Sequence, residues 1–102
     1  MAETIGAAAF VENHPGWAKA SGDRDAVTRT YQFADFKTAW AFMSGAALKA
    51  EQMDHHPEWF NVYAKVHVTL TTHDAGGVTT LDDALATHMD TLAAALGDPP
   101  PG

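Results

Sequence analysis

Cysteine is missing from this chain, and its absence removes disulfides, zinc ribbons, iron–sulfur clusters and thiol nucleophiles from consideration. Basic residues are scarce: six Lys and Arg stand against 13 Asp and Glu, a formal charge of −7. Binding phosphates needs clustered cations, so nucleic acid is not expected as a partner. Long apolar runs are lacking as well. None approaches the roughly 18 residues of a membrane span, and the opening MAETIGAAAFVENHPGW has no basic stretch, so neither membrane anchor nor signal peptide is expected. A cytoplasmic protein is the expectation. Proline is confined to Pro15, Pro57 and the tail GDPPPG. Three consecutive prolines cannot continue a helix, so residues 97–102 are expected to form a disordered tail behind a single domain over 1–96.

What the chain does hold is histidine, six in 102 residues: His14, His55, His56, His67, His73 and His88. Imidazole titrates near neutral pH and ligates metals, so function is sought there first.

Hydrophobic periodicity divides the rest. Residues 3–12 form a short Ala-rich helix, and 17–21 a short strand that turns through 22–25 into a second over 26–34, with Val27, Tyr31 and Phe33 on one face. Asp35 is placed to cap a helix whose stripe runs Phe36, Ala39, Trp40, Met43, Ala46, Ala47, Ala50 and Met53. Pro57 disfavours helical geometry before it, which ends the helix near Asp54. Period two then runs unbroken from Trp59 to Thr72. It predicts one long strand with Phe60, Val62, Ala64, Val66, Val68 and Leu70 toward the core. Thr79 and Asp82 form a capping box for a last helix buried through Leu81, Leu85, Met89, Leu92 and Leu96. One stripe per helix and one apolar face per strand predict an α+β fold, two layers, with helices on one face of an antiparallel sheet. The other face, bearing Tyr63 and the rim of Trp59, is a candidate surface for another subunit.

The chemistry concentrates in Glu51, Asp54, His55, His56, Pro57 and Trp59, with His73 and Asp74 beyond the long strand. Glu51 falls on the apolar stripe, where a carboxylate needs partners, and the imidazoles are natural ones. Pro57 stiffens the exit that carries His55 and His56. A 14-residue strand would separate His73 from His55 by about 45 Å, so the two meet only across subunits, by bending, or if the strand is shorter. Asp82 is read as the capping-box acid, His67 as a sheet-face residue, His88 as a helix-flank residue and His14 as loop.

From Glu51 to Gly77 the chain runs EQMDHHPEWFNVYAKVHVTLTTHDAGG, preceded by Gly16–Trp17 and by Arg29, Tyr31, Phe33, Asp35 and Phe36 at alternating spacing. This pattern resembles the pterin-4a-carbinolamine dehydratases, whose animal members also act as a dimerisation cofactor of a homeodomain transcription factor. The likeness covers about residues 16 to 96, and residues 1–15 are a variable segment, shorter and richer in Ala than the family's usual first helix.

The resemblance implies a four-stranded antiparallel sheet with helices on one face, assembled as a homodimer or homotetramer. It implies dehydration of 4a-hydroxytetrahydropterin to quinonoid dihydropterin, with no metal and no organic cofactor, in recycling the pterin used by aromatic amino acid hydroxylases. His55, His56 and His73 are then the catalytic residues, and Glu51, Asp54, Pro57, Trp59 and Asp74 bind substrate. Imidazoles can both deliver and remove the protons that loss of water requires. His56 is assigned as acid, with His73 or His55 as base. Two other classes stay open: a dimerisation or coactivator-type binding module, and a metal site built from His55, His56, His73 and Glu51.

Overall fold

The computed structural model describes residues 2–98. Its elements, in chain order, are α1 (Ala7–Asn13), β1 (Ala18–Lys19), β2 (Val27–Gln32), α2 (Phe36–Met53), β3 (Glu58–Val62), β4 (Lys65–Leu70), a 3₁₀ turn (His73–Ala75) and α3 (Thr80–Ala95). The strands form one antiparallel sheet in the order β1-β2-β4-β3, with the helices packed on it. Because β2 and β3 each run antiparallel to β4, they run parallel to each other, and α2 is the crossover between them. The α+β expectation holds.

Asp35 starts α2 as expected: its carboxylate accepts from the Thr38 backbone N–H and hydroxyl at 2.9 and 2.7 Å. The buried face of the helix is Ala39, Phe42, Ala46 and Ala50, with Met43 and Met53 at its margin. Phe36, Trp40 and Ala47, predicted on that stripe, are exposed instead. The first turns of α2 carry apolar residues on more than one side, so the stripe can be drawn through Phe36 and Trp40 or through Phe42. Phe42 wins because it completes a cluster with Tyr31 and Phe33, at centroid distances of 4.6 and 5.1 Å.

The larger correction concerns the long strand. It is a hairpin, with Val62 paired to Lys65 across the two-residue loop Tyr63–Ala64. Tyr63 takes a left-handed φ of 50°, and the Asn61 amide donates to the carbonyls of Tyr63 and Lys65 at 3.0 and 2.8 Å. A two-residue loop switches the parity of the pleat. Val66, Val68 and Leu70 stay in the core, whereas Trp59 and Asn61 now oppose Val68 and Val66. Phe60 and Val62, predicted inward, are exposed on an edge strand.

The first and last described segments are tied to the sheet. Asp25 accepts from the N–H groups of Ala7 and Val78, fastening α1 and the loop before α3 to the β1–β2 connection. Gly77 lies so close that a Cβ there would sit 2.6 Å from the Asp25 carboxylate. Arg29 faces the core beside Tyr31 and binds Asp90 of α3 and Asp98, each at 2.9 Å. Asp98 also accepts from the Gln32 N–H. Of the predicted tail, Gly97 and Asp98 are therefore described, with Asp98 buried; residues 99–102 lie outside the described residues.

Candidate active site

The hairpin resolves the distance problem. Folding the 59–72 run back on itself returns the chain to the end of α2, so His73 faces the cavity that His55 and His56 line. This cavity, about 280 Å³, is walled by Asp54, His55, His56, Glu58, Thr71, Thr72, His73, Asp74 and Leu81. One chain supplies all three predicted histidines.

Each side chain is placed by a local device. Asp54 closes α2 in the left-handed conformation, φ 51°, with its N–H on the carbonyls of Ala50 and Glu51. The His55 N–H also returns to Ala50 O at 3.0 Å, so the chain leaves the helix sharply and drives the His55 ring inward. His55 is buried, and its Nε2 lies 2.6 Å from Oδ1 of Asp82. Asp82 is wholly buried, and its Oδ2 accepts from the Thr72 hydroxyl at 2.8 Å and the Thr79 N–H at 2.9 Å. A carboxylate acceptor fixes Nε2 of His55 as the N–H, which leaves Nδ1 as the free ring nitrogen.

Asp82 is thus the capping acid the sequence indicates, and also the partner of a site histidine. The second role is the one sequence reading misses. Its signal is that the capping box begins seven residues after Thr72, so the same carboxylate that caps α3 is within reach of the segment carrying His73.

His56 is exposed, and its Nε2 meets Oε1 of Glu51 at 2.8 Å. Glu51 projects into solvent rather than into the core, contrary to its place on the predicted stripe, because α2 buries the side centred on Phe42 and Ala46. An exposed pair of this kind contributes little stability. His73 opens the 3₁₀ turn and is exposed. Glu58, at the start of β3, is gripped by both terminal nitrogens of Arg24, at 2.7 and 2.8 Å. Those hydrogen bonds hold its pKa below the ordinary glutamate value, and His73 adds to the effect.

Pro57 and Trp59 do not line the cavity; Trp59 packs against the core and borders a shallow pocket on the open sheet face with Phe60 and His67. His67 bonds the Thr30 hydroxyl on that face, and His88 flanks α3. His14 is not simply loop: it stacks on Phe10 and pairs with Asp83, joining α1 to α3. Among the described residues, no group of three or more His, Asp or Glu is disposed to hold a metal ion.

Buried His55, bonded to Asp82, and the accessible imidazoles of His56 and His73 share one cavity on a helix-backed antiparallel sheet, an arrangement chemically able to move protons. The family model described as Pterin 4 alpha carbinolamine dehydratase matches residues 2–92, and the chain belongs to this family. A protein of Paraburkholderia xenovorans (strain LB400), provisionally named a pterin-4-alpha-carbinolamine dehydratase, is 56% identical over 79 residues, covering 78% of this chain and 81% of its own. One of Dinoroseobacter shibae with the same provisional name is 59% identical over 78 residues, 76% of this chain and 79% of its own. Among solved structures, a transcriptional coactivator/pterin dehydratase from Brucella melitensis superposes with a TM-score of 0.79 at 51% identity, over 82% of this chain and 88% of that one. A pterin dehydratase-like protein identified as a RuBisCO assembly factor in the alpha-carboxysome shares the fold, with a TM-score of 0.66 at 22% identity over 82% and 93% of the two chains.

Proposed function

We propose that this protein removes water from 4a-hydroxytetrahydropterins by acid–base catalysis at His55, His56 and His73, with no metal or organic cofactor. The observation that carries the reading is the single cavity onto which all three imidazoles open, two of them accessible. Membership of a dehydratase family supports it.

In the reaction the C4a–O bond breaks as the acid protonates the departing hydroxyl. The base takes the proton from the neighbouring ring nitrogen, a C4a=N double bond forms, and quinonoid dihydropterin and water leave. Each positioned proton transfer contributes about 10²–10⁴-fold. His56, exposed and paired to Glu51, is the acid. His73 or His55 is the base, and the Asp82 contact suits His55 to a fixed, orienting role. Asp54 and Asp74 wall the cavity and hold substrate, Glu51 acts through His56, and Pro57 stiffens the exit from His56 into β3, where Trp59 packs against the core.

The setting proposed is cytoplasmic recycling of tetrahydropterin for an aromatic amino acid hydroxylase, by a homodimer or homotetramer. No helix among the described residues is long and apolar enough to cross a membrane. Phe60, Val62 and Tyr63, exposed along the edge strand and its turn, support self-association. The decisive test follows decay of the carbinolamine by its ultraviolet absorbance with the purified chain. Acceleration that drops at least about 10²-fold in His55→Ala and His73→Ala is expected; rates equal to the uncatalysed reaction would end the reading. A coactivator-type binding role is the second reading, favoured by the same exposed apolar edge; a partner binding there would be lost in Phe60→Asp while dehydration survives.

A further inference from the structure

The three site imidazoles are not equally provided for. His55 has the buried carboxylate of Asp82 and His56 the carboxylate of Glu51, each on Nε2. Among the described residues the ring of His73 has no hydrogen-bond or ion-pair partner, although it faces the same cavity. A third carboxylate stands on that wall. Glu58 opens β3 opposite Thr69 of β4, and β4 is the strand from which the chain passes to His73. Arg24, from the connection between β1 and β2, grips Glu58 with both terminal nitrogens. Since β4 lies between β2 and β3, this forked pair crosses the end of β4 just before the turn that His73 opens. Arg24 also lines a hollow on the other side of His73, so His73 shares one cavity with the anion and the other with the cation.

We infer that Glu58, set in place by Arg24, is the positioning carboxylate of His73 and completes a set in which each site imidazole has its own. The inference rests on the dehydratase reading for the proton that His73 moves, and adds the group that steadies the charge. Whichever proton it carries, the ring passes between a neutral and a cationic form during turnover. A nearby carboxylate favours the cation, and a nearby guanidinium opposes it. An exposed pair contributes little stability, so what the fork fixes is the place of the two charges. The coupling already shows at Glu58, whose pKa is lowered chiefly by the Arg24 hydrogen bond and further by the charge of His73. The other titratable groups around the ring are Asp54, His55, His56 and Asp74 in the shared cavity, with Asp23 and Asp25 beside Arg24. They stay constant when only Glu58 or Arg24 is replaced.

The test follows proton uptake by His73 through the nuclear magnetic resonance signal of its ring Cε1–H, assigned by its loss in His73→Gln. The full chain is compared with Glu58→Gln and Arg24→Gln. Glu58→Gln should lower the proton affinity of the ring about threefold. Arg24→Gln leaves Glu58 unneutralised and should raise it by a similar factor. One limb of the kcat/KM–pH profile should move toward lower pH in the first variant and toward higher pH in the second. A brace that merely holds the strand ends together is broken equally by either replacement, so it predicts the same change for both. Shifts of the same sign, or none, overturn the inference. Urea unfolding, expected to change little at these exposed positions, shows that each variant folds. The resonance experiment needs no turnover. Absence of carbinolamine dehydration with opposed shifts would therefore strike the dehydratase reading and leave the coupling of Glu58 to His73 standing. Dehydration without opposed shifts would do the reverse.

Discussion

At the scale of single residues, Asp82 has no slack. Its two oxygens take Nε2 of His55, the Thr72 hydroxyl and the Thr79 N–H in a fully dry setting. Asp82→Asn replaces one acceptor oxygen by an amide donor, so at least one of those donors is left facing another donor. The expected cost is about 1–3 kcal/mol of stability, measured by urea unfolding. A fall in kcat of roughly 10²-fold with KM little changed is expected as well, read with a pH–rate profile whose limbs shift. A variant that loses stability but keeps both kcat and the profile would confine Asp82 to capping. Asp25 offers a prediction in pH. Its carboxylate, stabilised by the N–H groups of Val78 and Ala7, has a pKa below the ordinary 3.8. Its contribution is complete above that unfolded-state value and disappears as pH falls through the lower folded-state one. Asp25→Asn should therefore be less stable than the parent by about 1–2 kcal/mol at pH 7, with the difference closing as pH falls below the ordinary aspartate value. A gap independent of pH would remove the charge from the explanation.

At the scale of elements, the β3–β4 hairpin decides where the site is. Asn61→Ala removes two side-chain hydrogen bonds across the turn and should cost about 1–2 kcal/mol in thermal or urea unfolding. Tyr63→Asn, better suited to positive φ, should gain about 0.5–1 kcal/mol. The hairpin also marks the limit of what the sequence makes legible. Asp35, the α3 capping box and the alternation of β2 are visible because each is a local signature with its own residue types. The turn at Tyr63–Ala64 is not, because it lacks the Asn-Gly or Asp-Gly pair that usually announces such a loop. Period two simply runs through it with its parity reversed. The histidines were legible as a set from their resemblance to a family pattern. Their convergence was not, since that depends on the unseen turn. Asp82's second role was hidden for a similar reason: a helix cap explains the residue completely until tertiary structure brings His55 beside it. Trp40 and Phe36 show another limit, where helical spacing admits two stripes and aromatic packing around Phe42 chooses.

For the whole molecule, the core is closed at one end by a buried charge cluster rather than by apolar packing. Arg29 has one-tenth of its side chain exposed and holds Asp90 and Asp98, while Asp90 also accepts from Tyr31 and Trp17. Burial and the neighbouring Asp90 carboxylate keep the Tyr31 phenol protonated far above its usual range. Asp98→Asn leaves Arg29 with a single carboxylate, and a loss of about 2–3 kcal/mol is expected in urea unfolding. Lysine in place of Arg29 should not rescue the fold, because it cannot fork between two carboxylates. A change under 0.5 kcal/mol for Asp98→Asn would show that the Asp98 contacts add little to the fold.

The doubled duty of Asp82 reaches into how such proteins can diverge. Any relative without catalytic activity would still need this carboxylate to begin α3, and the buried His55 beside it to occupy its acceptor. Selection for folding alone would preserve the pair. An intact Asp–His couple on this fold is therefore weak testimony of enzymatic activity. The accessible histidines, His56 and His73, carry no such structural duty, and they are where a change of occupation would first leave its trace.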